Sequence, residues 1–258
     1  MVLNEEKNLK MQKRDHFSAE ESSSTNQVYT RTQASNAAAS GRTITGVALD
    51  MDGLLFDTES LYWQVGTTVL GRRGHQFTRI LQQRMMGRVG VAALQEMVNH
   101  HSLSDCAQTL LDESDVIYEQ LIVDGVPPMP GLERLIETLR SKQIPFGVAT
   151  SSQRKFAEKI LGAMPWYSDL RFILTGNDVQ NGKPHPEIYL RAAEALEIAP
   201  LNMLVLEDSG NGSAAGVAAG AVVISVPNEC THDHPFPGVH AVAKSLEDPV
   251  ILQLLEGR

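Results

Sequence analysis

Short, nearly continuous apolar segments recur along the chain and alternate with segments whose apolar residues have helical spacing. The apolar segments are TGVALD, PFGVATSS, RFILTG, NMLVLED and GAVVISVP. The helical segments are GLERLIETLRSKQ, QRKFAEKILGAM, PEIYLRAAEALEI and the small-residue run SAAGVAAG. Strands that are apolar on both faces and alternate with helices are typical of a parallel sheet covered by helices on both sides.

One long segment interrupts this alternation directly after the first strand. From about Leu61 to Pro130 the chain has helical segments but no strand-like run, and the prolines of VPPMPG end it because they cannot continue a helix. We therefore predict an α/β fold in which a Rossmann-like parallel sheet core carries an inserted all-helical cap subdomain. The predicted core comprises residues 43–60 and 131–258, and the cap comprises residues 61–130.

Residues 1–42 are predicted to form a flexible polar tail. They are rich in Ser, Thr, Asn, Gln, Glu and Lys, as in ESSSTNQ. A segment with so few apolar residues cannot bury enough surface to offset the entropy of ordering it.

Composition and charge narrow the classes of partner. With 258 residues and 42% hydrophobic content, the chain is long enough to bury a sizeable core. The formal net charge of -9 argues against nucleic acid as a partner, because phosphate backbones are bound by clustered Lys and Arg. Since no apolar run approaches the roughly 20 residues of a membrane helix, we also expect no membrane association.

The cysteines and the amino terminus suggest a location. Cys106 and Cys230 are too few for a disulfide framework and fit reduced thiols. The first residues are rich in Glu and Lys and do not form the apolar stretch of a secretory signal. We therefore expect a cytoplasmic protein. The sequence leaves the oligomeric state open, and a monomer is compatible with it.

Polar residues that could take part in catalysis or ligand binding follow the predicted strands. The first strand is followed by Asp50 and Asp52, the second by Thr150, Ser151 and Ser152, the third by a loop with Lys183, and the fourth ends at Glu207 and Asp208. Ligand sites in open parallel sheets lie beyond the carboxyl ends of the strands, so these residues are expected to converge. Crowded carboxylates repel one another unless a cation lies among them, and oxygen ligands without His or Cys suit Mg²⁺.

This residue set predicts phosphoryl-transfer chemistry. Lys183 and Thr150 offer positive charge and a hydrogen bond to a phosphoryl group. One carboxylate can act as the nucleophile, and another can act as a general acid and base. The predicted substrate therefore carries a phosphoryl group.

Four motifs in the expected order resemble the haloacid dehalogenase superfamily, in its phosphatase and phosphomutase branch. They are DMDG, VATSS, GKPHPEIYL and LVLEDSGNG, and the resemblance covers about residues 45–230. It implies that Asp50 is the nucleophile and that Asp52 is the acid–base residue. Since family members that cleave carbon–halogen bonds lack an aspartate at the second position, Asp52 also argues against dehalogenation.

The resemblance implies further site residues as well. Thr150, with Ser151, corresponds to the phosphate-binding hydroxyl of the second motif, and Lys183 to the lysine that balances charge. The implied Mg²⁺ ligands are Asp50, the backbone carbonyl of Asp52, Asp208 and Glu207. The helical segment after the first motif resembles the family's alpha-helical cap.

The motifs leave two activities open within this branch. Hydrolysis of a sugar phosphate or a similar small phosphomonoester is favoured. The motifs also resemble those of phosphoglycolate phosphatases. The alternative is beta-phosphoglucomutase-type transfer between sugar hydroxyls. Those mutases have a His early in the first cap helix and basic residues around a glycine of the cap loop. Here Tyr62 stands at the first place, and Met86 and Gly90 stand at the others.

Two other classes of protein share part of this residue pattern. A response-regulator receiver also combines a phosphorylated aspartate with Thr, Lys and acidic ligands, but its nucleophile lies on an interior strand and it has no large cap. A non-catalytic binding protein with the same fold would be indicated by a lost motif residue, and none is lost.

Asp57 and Glu59 stand apart from the reacting pair. They lie where the chain leaves the core, and Asp57 with Thr58 is positioned to cap the first helix of the cap. We interpret both acids as structural residues at the entrance to the cap. Contact with solvent or substrate is the alternative.

Overall fold

A computed structural model describes residues 43–86, 88 and 90–257. The predicted flexible tail, residues 1–42, lies outside the described residues. Within the described part of the chain, no helix combines the length and the apolar character needed to cross a membrane.

A six-stranded parallel sheet forms the centre of the fold. Its strands are β1 (Gly46–Leu49), β2 (Phe146–Ala149), β3 (Leu170–Leu174), β4 (Met203–Glu207), β5 (Val222–Ser225) and β6 (Ala241–Val242). The strand order is β3-β2-β1-β4-β5-β6, and every neighbouring pair is parallel. The predicted α/β class is confirmed. The sequence pattern did not indicate β6, which has only two residues.

The central strands are buried on both faces. Every residue of β1, β2, β4 and β5 is buried, which explains why these segments are continuously apolar rather than alternating. The apolar side chains separate into two clusters: Val47 and Leu49 of β1 belong to one, and Ala48 belongs to the other. Alternate residues of a strand point to opposite faces, so a hydrophobic layer lies on each side of the sheet.

Helices between the strands and after β6 cover the sheet. They are α5 (Leu132–Ser141), α6 (Arg154–Gly162), α7 (Glu187–Ala195), α8 (Gly210–Ala218) and α9 (Pro249–Glu256). The buried residues of α5 are Leu132, Leu135, Ile136 and Leu139, which is the spacing of one apolar helix face. Short 3₁₀ turns occupy Ile122–Asp124, Tyr167–Asp169, Gly176–Asp178 and Pro200–Asn202.

The segment between β1 and α5 is helical. It contains α1 (Thr58–Gly71), α2 (Arg79–Met85), α3 (Val91–His101) and α4 (Ala107–Leu121), and no strand is present among its described residues. The Asp57 side chain accepts a hydrogen bond from the Ser60 amide, which confirms Asp57 as the cap of α1. Because of this cap, α1 begins at Thr58, before the apolar run that starts at Leu61.

Side chains of α4 contact α6, the helix that follows β2. Asp115 accepts hydrogen bonds from Lys155 Nζ at 2.8 Å and from Gln153 Nε2 at 3.1 and 3.2 Å. The rings of Tyr118 and Phe156 meet edge-on, with centroids 4.8 Å apart. The helical segment is therefore attached to the sheet domain close to the loop that follows β2.

Candidate active site

Asp50 lies immediately after β1, at the carboxyl edge of the sheet. Only 6% of its surface is exposed, and its backbone amide donates to the Leu206 carbonyl of the neighbouring strand β4 at 3.0 Å. The chain then turns at Gly53, whose φ of 73° is accessible to glycine at little cost. The hydrogen bond to Leu206 holds the backbone of Asp50 beside β4.

Lys183 connects the loop after β3 to Asp50. Its ammonium donates to Asp50 Oδ1 at 2.5 Å, to Glu207 Oε1 at 2.6 Å and to the Ala149 carbonyl at 2.9 Å. These three acceptors use all three N–H groups of the ammonium. The structure therefore brings together Asp50, Lys183 and Glu207, which the sequence placed on different segments.

Glu207 is fully buried, and both its oxygens have protein donors. Besides Lys183, Tyr189 donates its hydroxyl to Oε1 at 2.6 Å. Ser209 donates to Oε2 through its amide at 3.2 Å and its hydroxyl at 3.0 Å. These contacts orient Glu207 toward Lys183.

Asp208 lies beside Glu207 and is almost fully buried. Its Oδ2 accepts from Asn228 Nδ2 at 2.8 Å, and Asn228 also donates to the Gly53 carbonyl at 3.1 Å. Burial raises the pKa of Asp208 well above its usual value, and the Glu207 and Asp50 carboxylates raise it further. Asn228 thus joins the turn after β1 to the end of β4.

The buried carboxylates fit a bound divalent cation. Asp50, Glu207 and Asp208 each offer an oxygen, and these three oxygens lie within 4.8 Å of one another. Burial raises the pKa of Asp50 to about 8, with the Glu207 and Asp52 carboxylates acting in the same direction and Lys183 opposing the shift. A hard cation with oxygen ligands would relieve the repulsion that the Lys183 ammonium does not balance.

Asp52 is held by two hydroxyl groups of the loop after β2. Thr150 Oγ1 donates to Asp52 Oδ2 at 2.7 Å, and Ser152 Oγ donates to the same oxygen at 2.8 Å. The other oxygen, Oδ1, is buried without a partner among the described residues. Ser151, which the motif predicts to bind phosphate, is exposed.

The hydroxyl of Tyr62, on α1, lies 3.5 Å from Ser152 Oγ. Its ring stacks on Tyr118 of α4, with centroids 4.9 Å apart. Helices of the inserted segment therefore reach the residues that hold Asp52.

A pocket of about 1140 Å³ adjoins this site, between α1, α2 and the loops after β5 and β6. Asn228 and Gly53 form part of its wall, and Asn228 donates to both Asp208 Oδ2 and the Gly53 carbonyl. Glu59, Trp63 and Arg79 line the side contributed by the helical insertion. Burial and the nearby Asp52 and Asp57 carboxylates raise the pKa of Glu59 to about 7.

The sequence motifs did not indicate Tyr189 or Asn228 as site residues, and Ser152 was expected at a strand end without an assigned role. Ser152 and Tyr189 lie inside two quoted motifs, so their polar side chains were available as a signal. Asn228 lies in the loop after β5, outside the motifs, and the sequence around it carried no comparable signal.

Comparisons with known proteins identify the family of this chain. The family model of haloacid dehalogenase-like hydrolases matches residues 44–220. A phosphorylated carbohydrates phosphatase of Thermotoga maritima is 33% identical over 67% of this chain and 81% of its own. A (DL)-glycerol-3-phosphatase of Arabidopsis thaliana is 36% identical over 74% of this chain and 83% of its own.

A solved structure is similar as well. It is a HAD family hydrolase from Deinococcus radiodurans with bound phosphate and sodium, and it is 26% identical. The TM-score is 0.67, and the match covers 84% of this chain and 97% of that one.

Proposed function

This chain belongs to the haloacid dehalogenase-like hydrolase family, and on that premise we propose that it is a Mg²⁺-dependent phosphatase of small phosphomonoesters. The proposed reaction passes through an aspartyl-phosphate on Asp50. The observation that carries the proposal is that two aspartates close in sequence have different hydrogen-bond partners. Asp50 contacts the Lys183 ammonium, and Asp52 contacts neutral hydroxyls with one oxygen unpartnered.

In the first step, a carboxylate oxygen of Asp50 attacks the phosphorus atom, and the bond from phosphorus to the leaving oxygen breaks. Asp52 donates its proton to that oxygen, so that the leaving group departs as a neutral alcohol. Lys183 lies against Asp50 and supplies positive charge beside the transferred group.

In the second step, Asp52 accepts a proton from a water molecule, which attacks the phosphorus atom of the aspartyl-phosphate. The acyl phosphate bond breaks, inorganic phosphate leaves and Asp50 returns as a carboxylate. Asp52 is then protonated again for the next substrate. Thr150 and Ser152 fix one Asp52 oxygen, which leaves Oδ1 as the oxygen that exchanges the proton.

Asp50 and Asp208 are the carboxylates that would hold Mg²⁺, with the backbone carbonyl of Asp52 as a further ligand. Each of the two has one oxygen committed to a protein donor and a second that is not. Bound Mg²⁺ would supply positive charge toward the phosphoryl oxygens. In this assignment Glu207 acts as a positioning residue for Lys183, because protein donors contact both its oxygens.

The proposed domain division keeps residues 43–60 and 131–258 as the core and residues 61–130 as the cap. Helices α1 and α4 place Tyr62 and Tyr118 near the residues that hold Asp52. A cap in this position would limit the access of water during the first step and admit one molecule for the second.

Mutase chemistry is not favoured as an alternative. The two similar proteins named above are phosphatases. Tyr62 occupies the place where the mutases resembled by the motifs have a His, and its hydroxyl lies near Ser152. Water is therefore the proposed acceptor of the phosphoryl group.

The proposal is tested by phosphate release from p-nitrophenyl phosphate and from a panel of phosphorylated metabolites, with Mg²⁺ and with excess chelator. We expect hydrolysis only with Mg²⁺ and its loss in Asp50→Asn. Asp112→Asn is the matched control, because Asp112 is an exposed carboxylate on α4. Full activity in the chelator, or in the Asp50→Asn variant, would overturn the mechanism.

A further inference from the structure

We propose that Glu59 is a specificity-determining residue that accepts a hydrogen bond from a hydroxyl group of the substrate's leaving group. Gln82, in this proposal, is the positioning residue that orients the Glu59 carboxylate. The inference rests on the proposed phosphatase function and adds to it the chemistry of the part of the substrate that is not phosphate.

A directed chain of hydrogen bonds fixes the Glu59 side chain. Arg79 Nη1 donates to Gln82 Oε1 at 2.9 Å, and Gln82 Nε2 donates to Glu59 Oε2 at 3.1 Å. Gln82 is only 6% exposed, so its amide is held in one orientation inside the helical insertion. Because Arg79 takes the amide oxygen, the amide nitrogen faces Glu59, and Glu59 is the acceptor.

The second oxygen of Glu59 is available to a ligand. Oε1 has no hydrogen-bond partner among the described residues, and the Glu59 side chain lines the 1140 Å³ pocket. Gly53 and Asn228 line the same pocket, and Asn228 donates to Asp208 at the reacting site. A leaving group that extends from the phosphoryl position into this pocket therefore meets a half-buried carboxylate oxygen that needs a donor.

The charges around the pocket favour a hydroxyl donor over a second anion. Asp57 and Glu59 both line this wall, and carboxylates repel phosphate. The Arg79 guanidinium is already engaged with Gln82 and with the face of Trp63, 4.5 Å from the ring centroid. Lys244 also lines the pocket and is exposed, so a ligand charge there would be screened by solvent.

This wall of the pocket, as far as the structure describes it, offers no uncovered aromatic ring on which an aromatic leaving group could stack. Trp63 is the only Phe, Tyr or Trp among the described residues that line the pocket. Arg79 lies over its ring, and the Phe77 ring packs against it with centroids 5.2 Å apart. An aliphatic leaving group with hydroxyls, such as a small polyol or a sugar, is therefore the chemistry that this wall recognises.

The test compares matched substrates that differ only in hydroxyl groups. Glycerol 3-phosphate is paired with propyl phosphate, and glucose 6-phosphate with cyclohexylmethyl phosphate. The assays are run above the Glu59 pKa of about 7, where its carboxylate is charged. A charged acceptor that loses its donor typically discriminates by about 10- to 100-fold. We expect kcat/KM to favour the hydroxylated member of at least one pair by this factor. Glu59→Gln and Gln82→Ala should each reduce the ratio of the two kcat/KM values at least fivefold, chiefly through KM.

Matched variants separate binding from a general loss of structure. Glu133→Gln removes an exposed carboxylate from α5 and is expected to keep the wild-type ratio. Glu59→Asp retains the charge and is expected to recover part of the ratio. An unchanged ratio in Glu59→Gln, or no preference in the wild-type enzyme, would overturn the inference while hydrolysis itself upholds the proposed function. Absence of hydrolysis with every phosphomonoester would instead overturn the proposed function.

A binding measurement tests the same wall without turnover. Cys230 lines the pocket, with Arg79 Nη1 3.6 Å from its Sγ, whereas Cys106 is exposed at the start of α4. In Asp50→Asn with Mg²⁺, the hydroxylated phosphate of the preferred pair should slow alkylation of Cys230 by iodoacetamide and leave Cys106 unchanged, as peptide mass spectrometry can quantify. Equal protection by the hydroxyl-free phosphate, or none by either, would contradict the inference.

Discussion

Replacing Lys183 with Met removes the ammonium that the carboxylates of Asp50 and Glu207 share and keeps a side chain of similar length. The Lys183 side chain is 7% exposed, and those of its partners are 8% and 0% exposed. Removing one member of a buried ion pair typically costs about 3–5 kcal/mol, because the remaining charge is left without compensation. We expect a loss of free energy of unfolding in this range for Lys183→Met.

Urea denaturation of the metal-free protein, at a pH above the Asp50 pKa of about 8 so that Asp50 is a carboxylate, measures this loss. Lys155→Met is the matched control, because Lys155 pairs with Asp115 at 2.8 Å while 49% of its side chain is exposed. Surface pairs typically contribute less than about 1 kcal/mol, so the control should lie near the wild type. In a domain of this size, Lys183→Met should also lower the melting temperature by roughly 10 °C.

A second substitution checks the cause of the loss. Adding Glu207→Gln to Lys183→Met removes one of the uncompensated charges, so the double variant should recover at least about 1 kcal/mol relative to Lys183→Met. Equal stability of Lys183→Met and Lys155→Met, or no recovery in the double variant, would refute the view that Lys183 neutralises a buried carboxylate pair.

Three further predictions follow from the site. Ser152→Ala removes one of the two donors to Asp52 and should lower kcat on p-nitrophenyl phosphate by about 10-fold with little change in KM; an unchanged kcat would contradict this role. Gly53→Ala places a methyl carbon 2.5 Å from Asn228 Nδ2 and 2.7 Å from Asp208 Oδ2 at a positive φ, so melting curves and activity assays should show lower stability and no more than residual activity; wild-type behaviour would contradict the geometry. Because burial raises the pKa of Asp50 from 3.8 to about 8, the folded state binds more protons than the unfolded state between these values. The metal-free wild type should therefore lose stability relative to Asp50→Asn as the pH rises from about 4 to 8, and urea titrations that show the opposite slope would contradict the burial of that charge.

The main strands could be predicted because the parallel sheet needs them apolar on both faces. GVAL and MLVLE are buried at every position, and the sequence shows this as uninterrupted apolar runs. β6 has two half-exposed or exposed residues and no such run. α9 begins with Asp248 as its cap and Pro249 in its first turn. These residues are a recognisable helix-start pattern, but they lie outside the motifs.

The candidate site was predictable where its residues lie at strand ends in recognisable motifs. Asp50, Lys183 and Glu207 come together as the sequence suggested. The partners of these residues were harder to predict, because contacts such as that of Asn228 with Gly53 join segments far apart in the sequence. The direction of a side chain also decides which of two adjacent residues contributes to the site. Ser152 donates to Asp52, whereas Ser151 is exposed.

The central claim is that Asp50 becomes covalently phosphorylated, and chemical trapping tests it most directly. The enzyme is quenched during turnover of p-nitrophenyl phosphate with Mg²⁺ and treated with borohydride, which reduces a phosphoaspartate to homoserine. We predict homoserine at position 50 by peptide mass spectrometry, in wild-type enzyme only when substrate is present. Homoserine at another aspartate, or unmodified Asp50 during steady turnover, would contradict the account.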